Sequence, residues 1–226
     1  AGADIVETCT FGASPLKLSR YDLDQHTEDI NYNAVTAVKN VVGERAYVAG
    51  SVGPSGKILE PHGDTSEAPV YESYLRQVDT LVRAGVDCII VETMLDIHEA
   101  QLAVRAAKTV SPALPVLATM TFEDIPRGFY TIMGIDIPAA VAGLVAAGAD
   151  VVGSNCGNGV DKMLEIAFTH TNRFSENYYS FVNGQYTVDG GTHLSAFREG
   201  LLKGINEFAK SRFEGDDVRE GLVGAV

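Results

Sequence analysis

A four-residue phrase that occurs three times constrains the fold of this chain more than any other feature. Ala-Gly-Ala-Asp at residues 1–4, Ala-Gly-Val-Asp at 84–87 and Ala-Gly-Ala-Asp at 147–150 each directly precede a short apolar run. Glycine at the end of a helix readily takes the left-handed conformation, and an apolar run after it is typical of a buried parallel strand. The phrase therefore predicts repeated transitions from a helix to a buried strand.

Strand-like and helix-like segments alternate through residues 1–167. Apolar residues follow helical spacing in residues 70–82 and 97–107, and residues 136–147 are apolar nearly all round. The strand-like runs are residues 5–8, 46–53, 88–94, 115–122 and 151–155. This alternation predicts right-handed crossovers and an α/β fold with a parallel sheet of five strands. Five strands do not close an eight-stranded (β/α) barrel.

Composition narrows the class of protein. The chain has 226 residues, 46% of them apolar, and a formal net charge of −13. No run approaches the roughly 20 apolar residues of a membrane helix, and the N-terminus has no basic segment typical of a secretory signal. Three cysteines lie far apart, which favours a reducing cytoplasm over a disulfide scaffold. An acidic chain without a basic patch is not expected to bind nucleic acid.

Aromatic residues are distributed unevenly along the chain. Residues 1–167 contain 9 of the 18 Phe and Tyr residues, and the much shorter segment 168–226 contains the other 9. All four Met residues lie in the first segment. This shift in composition predicts two domains, residues 1–167 and residues 168–226.

Polar side chains stand at the predicted carboxyl ends of the strands, the edge at which (β/α) barrels carry out chemistry. An acid at this edge is more often functional than one on a helix surface, so Glu92 is predicted to contact a substrate. The alternatives are that Glu92 binds a backbone amide and that Cys156 is a small buried hydrophobe. The strand-end residues are Glu7-Thr8, Ser51, Glu92-Thr93, Thr119–Thr121 and Ser154-Asn155-Cys156.

Four separated motifs in residues 1–167 resemble the homocysteine S-methyltransferase family, as in the homocysteine-binding module of cobalamin-dependent methionine synthases. The motifs are GADIVETCTFGAS, VAGSVGPSGKILEPHGD, AGVDCIIVETMLDIHEAQLAVRAAK and GSNCGNGVDKMLEIA. The resemblance implies a TIM barrel, here partial with about five of eight strands. It also implies a zinc ion held by three cysteine thiolates, which activates the thiol of homocysteine for methyl transfer from a corrinoid or another donor.

The resemblance assigns roles to three residues. It implies that Glu92 and Asn155 bind and orient the amino acid and that Cys156 is a zinc ligand. The chain also departs from the family pattern. It has no Cys-Cys pair for the other two ligands and no opening Asp-Gly motif, and Cys9 stands where the family usually has Asn. Because a zinc site takes three or four protein ligands, we expect methyl transfer to be impaired and zinc occupancy to be low.

Residues 168–226 resemble a different family, the transducer domain of type IIA topoisomerase B subunits. The matching phrases are YYSFVNGQYT, GGTHLSAFREGL, INEFAK and GDDVREGLVGAV. The resemblance implies an α+β fragment of ribosomal S5 domain 2-like fold. Extended segments are predicted before a Gly-Gly turn, then a helix over 192–211 capped by Thr192, and another helix beginning near Asp216. Nothing upstream resembles an ATP-binding domain, so we expect neither ATP hydrolysis nor DNA cleavage.

Three changes coincide near residue 167: aromatic content, the rhythm of strands and helices, and family resemblance. We therefore hypothesise that the chain is a chimera of two unrelated proteins, joined within residues 163–167. The functional prediction is methyl transfer to homocysteine, with a small thiol as substrate and a corrinoid-carrying domain or protein as partner. The alternatives are a transducer segment from the B subunit of an ATP-dependent topoisomerase and a folded chain without catalysis.

Overall fold

The computed structural model describes residues 3–157, 166–170, 175–182, 185–186 and 191–225. The chain forms two compact units: unit 1, Ala1–Met163, and unit 2, Leu164–Val226. Residues 163–165 of the hypothesised junction lie outside the described residues. In the described part of the chain, no helix is both long and apolar enough to cross a bilayer.

Unit 1 alternates strands and helices, as the repeated phrase predicts. Its strands are β1 (Ile5–Glu7), β2 (Tyr47–Val52), β3 (Cys88–Met94), β4 (Val116–Met120), β5 (Glu123–Ile125), β6 (Gly128–Tyr130) and β7 (Val151–Ser154). Its helices are α1 (Pro15–Leu18), α2 (Thr27–Val42), α3 (Glu67–Ala84), α4 (Ile97–Val110) and α5 (Ile137–Ala147), with short 3-10 turns at Ser19–Tyr21 and Asp24–His26.

Five of these strands form a parallel sheet in the order β1-β2-β3-β4-β7. The register pairs Ala49 with Cys88, Ile89 with Val116, and Leu117 with Val151. The prediction of an α/β fold with a five-stranded parallel sheet is confirmed. The small antiparallel hairpin of β5 and β6 follows β4 and was not predicted.

The repeated phrase has a structural role for its glycine and for its aspartate. Gly85 and Gly148 end α3 and α5 in the left-handed conformation, with φ of 89° and 105°. The carboxylate of Asp87 accepts a hydrogen bond from the amide of Val48, and that of Asp150 accepts one from the amide of Val116. Each aspartate therefore fixes the start of the neighbouring strand to the start of its own strand.

The core of unit 1 lies between the sheet and its helices. The inner faces of α3 and α4 are the ones that helical spacing predicts, with Tyr74 and Val104 fully buried among them. The first strand differs from the prediction of a buried strand. Ile5 is 46% exposed, because β1 is an edge strand of this sheet and pairs with β2.

The described part of unit 2 contains strands, two helices and a small apolar core. The elements are β8 (Ile166–His170), β9 (Asn177–Tyr179), β10 (Phe181–Val182), β11 (Gln185–Tyr186), α6 (Thr192–Ala209), α7 (Gly215–Arg219) and β12 (Leu222–Ala225). Strand β12 lies between β8, to which it is antiparallel, and β9, to which it is parallel. Phe197 and Leu222 are buried together, and Tyr178 packs against them.

Two details of unit 2 correct the sequence analysis. Gly191 occupies the N-cap position of α6, so Thr192 is the first helical residue rather than the cap. The helix ends at Ala209 rather than at residue 211. The helix predicted near Asp216 is present as α7 and begins with a capping box of Glu214 and Asp217. The S5-like fold of this segment stays a prediction.

Candidate functional site

The carboxyl ends of the parallel strands of unit 1 bring four polar residues together. Ser51 lies near the end of β2, Glu92 within β3, Thr119 within β4 and Asn155 directly after β7. Parallel strands end at the same edge of a sheet, so residues far apart in sequence meet there. The hydrogen bonds between these side chains show that the predicted strand-end residues form one cluster.

Glu92 is partly buried and is held by neutral donors. The hydroxyl of Ser51 donates to Glu92 Oε1 at 2.5 Å, and the side-chain amide of Asn155 lies 3.5 Å from Oε2. Within the described residues, no Lys or Arg forms an ion pair with this carboxylate. Hydroxyl and amide donors stabilise a carboxylate without cancelling its charge, so Glu92 can still attract a cationic ligand group.

Asn155 links three strands through its side chain, and the residue is 9% exposed. Its Oδ1 accepts from the Thr119 hydroxyl at 2.8 Å and from the Thr93 amide at 3.0 Å. Its Nδ2 donates to the Thr93 hydroxyl at 2.9 Å and faces Glu92 Oε2. The hydrogen-bonding capacity of this amide group is therefore used within the protein.

Thr93 and Cys156 both adopt the left-handed conformation, with φ of 58° and 56°. The pairing of β3 with β4 is irregular between Val91 and Met94, where Thr93 lies. A β-branched residue at positive φ costs about 1–3 kcal/mol and persists only where its surroundings fix it. The Thr93 amide donates to Asn155 and the Thr93 hydroxyl accepts from it, and these two bonds fix Thr93. The Thr93 hydroxyl lies 3.9 Å from Cys156 Sγ.

The donor set around Cys156 does not fit a zinc ion. The described residues contain no group of three or more His, Cys, Asp or Glu side chains that could hold a metal. The side-chain neighbour of Cys156 Sγ at hydrogen-bond distance is the neutral hydroxyl of Thr93. A zinc site needs three or four thiolate, imidazole or carboxylate ligands. Cys156, the predicted ligand, is therefore an exposed free thiol in this structure.

The other two cysteines lie in different environments. Cys88 begins β3 and is buried, as its position at the start of a strand predicts. Burial, together with the nearby charges of Asp87 and Glu7, raises the pKa of the Cys88 thiol to about 11. Cys9 follows β1 and is exposed.

A buried carboxylate next to this edge was missed by the sequence analysis. Glu99 is 5% exposed and accepts hydrogen bonds from the Ser55 amide, the Ser55 hydroxyl and the Tyr74 hydroxyl. Burial and the charge of Glu99 raise the pKa of Tyr74 well above its usual value. Asp96 and Glu99 have the spacing of a capping box at the start of α4. This spacing predicts that the Glu99 side chain binds the backbone at the helix end, and it does not indicate that Glu99 is buried in the core.

Comparison with protein families identifies the first part of the chain. Residues 1–198 match the model of the family described as homocysteine S-methyltransferase. Methionine synthase from Mycobacterium tuberculosis is 32% identical over 175 residues, which cover 73% of this chain. These residues make up 14% of that synthase, so the chain spans about one seventh of the relative it matches.

Solved structures support the same fold. The metallated form of the homocysteine methyltransferase MmuM from Escherichia coli aligns with 69% of this chain and 58% of its own, with a TM-score of 0.53. Sequence identity in this alignment is 21%, so the likeness is one of fold.

A second set of relatives matches short segments and supports the transducer resemblance. The B subunit of DNA topoisomerase 4 from Borreliella burgdorferi is 57% identical over 65 residues, which are 29% of this chain and 11% of that protein. The B subunit of DNA gyrase from Thermotoga maritima is 44% identical over 78 residues, which are 30% of this chain and 12% of that protein.

Proposed function

Because the chain belongs to the homocysteine S-methyltransferase family, we propose that unit 1 is part of a (β/α) barrel that binds homocysteine at the carboxyl edge of its sheet. The observation that carries the proposal is the environment of Glu92. This carboxylate has no cationic partner among the described residues and is held in place by the neutral side chains of Ser51 and Asn155.

Glu92 binds the ammonium group of the amino acid. A cationic amine next to a partly buried carboxylate forms a charge-assisted hydrogen bond, which is shorter and stronger than a neutral one. Asn155, predicted to touch the substrate, acts here as a positioning residue. Its amide group holds Glu92 and Thr93, which explains how it orients the amino acid without contacting it.

The chemistry of the family is methyl transfer to sulfur. A bond forms between the sulfur of homocysteine and the methyl carbon, the bond between donor and methyl breaks with its electron pair on the donor, and the thiol loses its proton. The described residues do not supply the ligands of a zinc ion that would activate this thiol. We expect the donor, a corrinoid or another methyl donor, to bind to a separate domain or protein. We therefore expect homocysteine binding without measurable methyl transfer.

Calorimetric titration with homocysteine tests the proposal. We expect binding to the unmodified chain and a loss of about tenfold or more in affinity for Glu92→Gln, because the uncharged amide no longer pairs with the ammonium group. Glu44→Gln is the matched control, since Glu44 is an exposed acid in the loop before β2, at the opposite edge of the sheet. Equal affinities of the two variants would refute the role of Glu92, and absence of binding to the unmodified chain would refute the proposed function.

Zinc content tests the expected impairment separately. We expect less than one zinc ion per chain after purification with added zinc. Stoichiometric, tightly bound zinc together with methyl transfer from a corrinoid donor would contradict the expectation.

The second candidate function concerns residues 168–226. The 57% identity to the B subunit of a topoisomerase 4 favours a transducer-like segment that relays nucleotide state in a larger protein. ATPase assays and measurement of dimer formation on nucleotide addition test this activity in the present chain, and we expect neither ATP hydrolysis nor dimer formation. Nucleotide-dependent dimers would favour the transducer role over the methyltransferase role.

The two sets of relatives support the hypothesis of a chimera. The match of the methyltransferase family model through residue 198 stands against a junction near residue 167. Intact-mass measurement and peptide mapping across residues 164–171 decide the question. We expect one polypeptide with peptides that cross the junction, and two separate polypeptides would contradict this.

A further inference from the structure

Two cations of unit 1 approach the same point at the carboxyl edge of the sheet. Lys17 lies in α1, Arg20 lies in the turn after it, and both reach the loop that follows β2. The guanidinium of Arg20 donates to the carbonyl of Gly56. A Cβ atom at Gly56 would lie 2.8 Å from Arg20 Nη2 and 3.2 Å from Lys17 Nζ. The two charged nitrogens are therefore within about 6 Å of each other, the sum of those two distances.

These two charges are not compensated by an acid. In the described parts of the chain, neither Lys17 nor Arg20 forms an ion pair with Asp or Glu. Ion pairs do form elsewhere in the described part of unit 1. Arg76, for example, pairs with Glu28. Two like charges held together without an acid repel each other, and an anion between them removes that repulsion.

The loop beneath the two cations is fixed from inside the protein. Ser55 is fully buried, and its amide and hydroxyl donate to Glu99. Gly56 has a φ of +77°, which glycine adopts without strain, and it has no side chain to fill the space between the cations. Loops at the carboxyl edge of parallel sheets are the usual place for ligands of α/β proteins.

We infer that Lys17 and Arg20 form an oxyanion-binding site over Gly56. Lysine and arginine are the side chains that bind carboxylates and phosphates most often, arginine through paired donors and lysine as a point charge. The oxyanion comes either from the carboxylate of the amino-acid substrate or from a free phosphate. The inference stands on charge and geometry and does not need homocysteine to be the substrate.

Titration with inorganic phosphate at low ionic strength is the first experiment. We expect saturable binding that weakens about tenfold in Lys17→Gln and in Arg20→Gln, and that weakens with added salt. Lys39→Gln is the matched control, because Lys39 also donates to the carbonyl of a loop glycine, Gly85, but lies away from this edge. Circular dichroism spectra that match the unmodified chain show that each variant is folded.

Two thiols distinguish the sources of the oxyanion. Homocysteine carries a carboxylate, and 3-aminopropane-1-thiol carries the same amine and thiol without it. If Lys17→Gln and Arg20→Gln weaken the binding of homocysteine but not that of 3-aminopropane-1-thiol, the site takes the carboxylate of the substrate. If they weaken phosphate but neither thiol, the site takes a separate oxyanion. The inference is overturned if phosphate and homocysteine bind with unchanged affinity in both variants, or if the unmodified chain binds neither.

Discussion

Glu92 of unit 1 and Glu176 of unit 2 are both partly buried carboxylates, but of the two only Glu176 forms ion pairs among the described residues. Glu92 has a hydroxyl and an amide as partners. Glu176 has two guanidinium groups: Arg198 Nη2 at 2.5 Å from Oε1 and Arg219 Nε at 3.0 Å from Oε2. The Tyr178 hydroxyl also donates to Oε2, and the Arg198 guanidinium lies over the Tyr178 ring.

We expect the two carboxylates to have different roles: Glu92 to bind a ligand, and Glu176 to stabilise the fold through its arginine partners. Arg198 and Arg219 pair with Glu176, and Arg219 also pairs with Asp216, so two cations balance two acids. Burial together with Glu176 raises the pKa of Tyr178. Little of that charge is left to attract a cation. Glu92 lacks such partners among the described residues, so its negative charge is directed to the edge where Thr93 and Cys156 also lie. This difference in charge balance supports the proposal that Glu92 binds a cationic ligand group, even though both acids are partly buried.

Glu99→Ala is the variant for which we expect the largest loss of stability. It tests whether hydrogen bonds from uncharged donors to a buried carboxylate stabilise the fold. Removing this side chain leaves the Ser55 hydroxyl without its acceptor. It also removes one of the two acceptors of the Ser55 amide and of the Tyr74 hydroxyl, which keep the Tyr74 hydroxyl and the Gly53 carbonyl as acceptors. We expect the free energy of unfolding to fall by about 3 kcal/mol. Urea unfolding followed by circular dichroism measures it, with the exposed Glu44→Ala as control. A loss of stability equal to that of the control would show that the hydrogen bonds to Glu99 do not stabilise the fold.

For Glu176→Gln and Glu92→Gln we expect intermediate losses of stability. The two variants compare the carboxylate that is paired with arginines directly with the one that is not. We expect Glu176→Gln to lower the free energy of unfolding by about 1 kcal/mol, after allowance for the partial exposure of Arg198, because the charge-assisted hydrogen bond from Arg198 and the ion pair with Arg219 are lost. Glu92→Gln keeps the bond from Ser51, so its loss is below about 0.5 kcal/mol while homocysteine affinity falls. Urea titrations of both variants measure the difference, and the reverse order of stabilities would contradict it.

For the partly exposed pair of Glu28 and Arg76 we expect the smallest effect on stability. Glu28 is an acid of unit 1 that forms an ion pair. The bond from Arg76 lowers the pKa of Glu28 from 4.5 to about 2. A lowered pKa in the folded state means that the stabilisation is complete above pH 4.5 and is lost as the pH falls toward 2. Because both side chains are about 40% exposed, we expect less than about 1 kcal/mol. Stability measured against pH for the unmodified chain and Glu28→Gln tests this, and curves that stay parallel between pH 4.5 and 2 would exclude it.

Much of unit 1 was predictable because its signals are local. The Ala-Gly-x-Asp phrase marks helix ends and strand starts, and helical spacing identifies the faces of α3 and α4 that the core covers. The grouping of Glu92 with Asn155 was also predictable, since parallel strands end at one edge. The exposure of β1 was not predictable, because an apolar edge strand and an apolar central strand read alike in the sequence.

Residue type and spacing were enough to predict the parallel α/β arrangement of unit 1, its family and the small number of cysteine ligands for zinc in this chain. The partners of Glu92 and Glu99, in contrast, depend on the tertiary structure. Glu99 faces Ser55 and Tyr74 instead of capping its helix, and Lys17 and Arg20 both reach the distant Gly56. Such partners come from distant segments that meet only after the chain has folded, and local spacing carries no information about them.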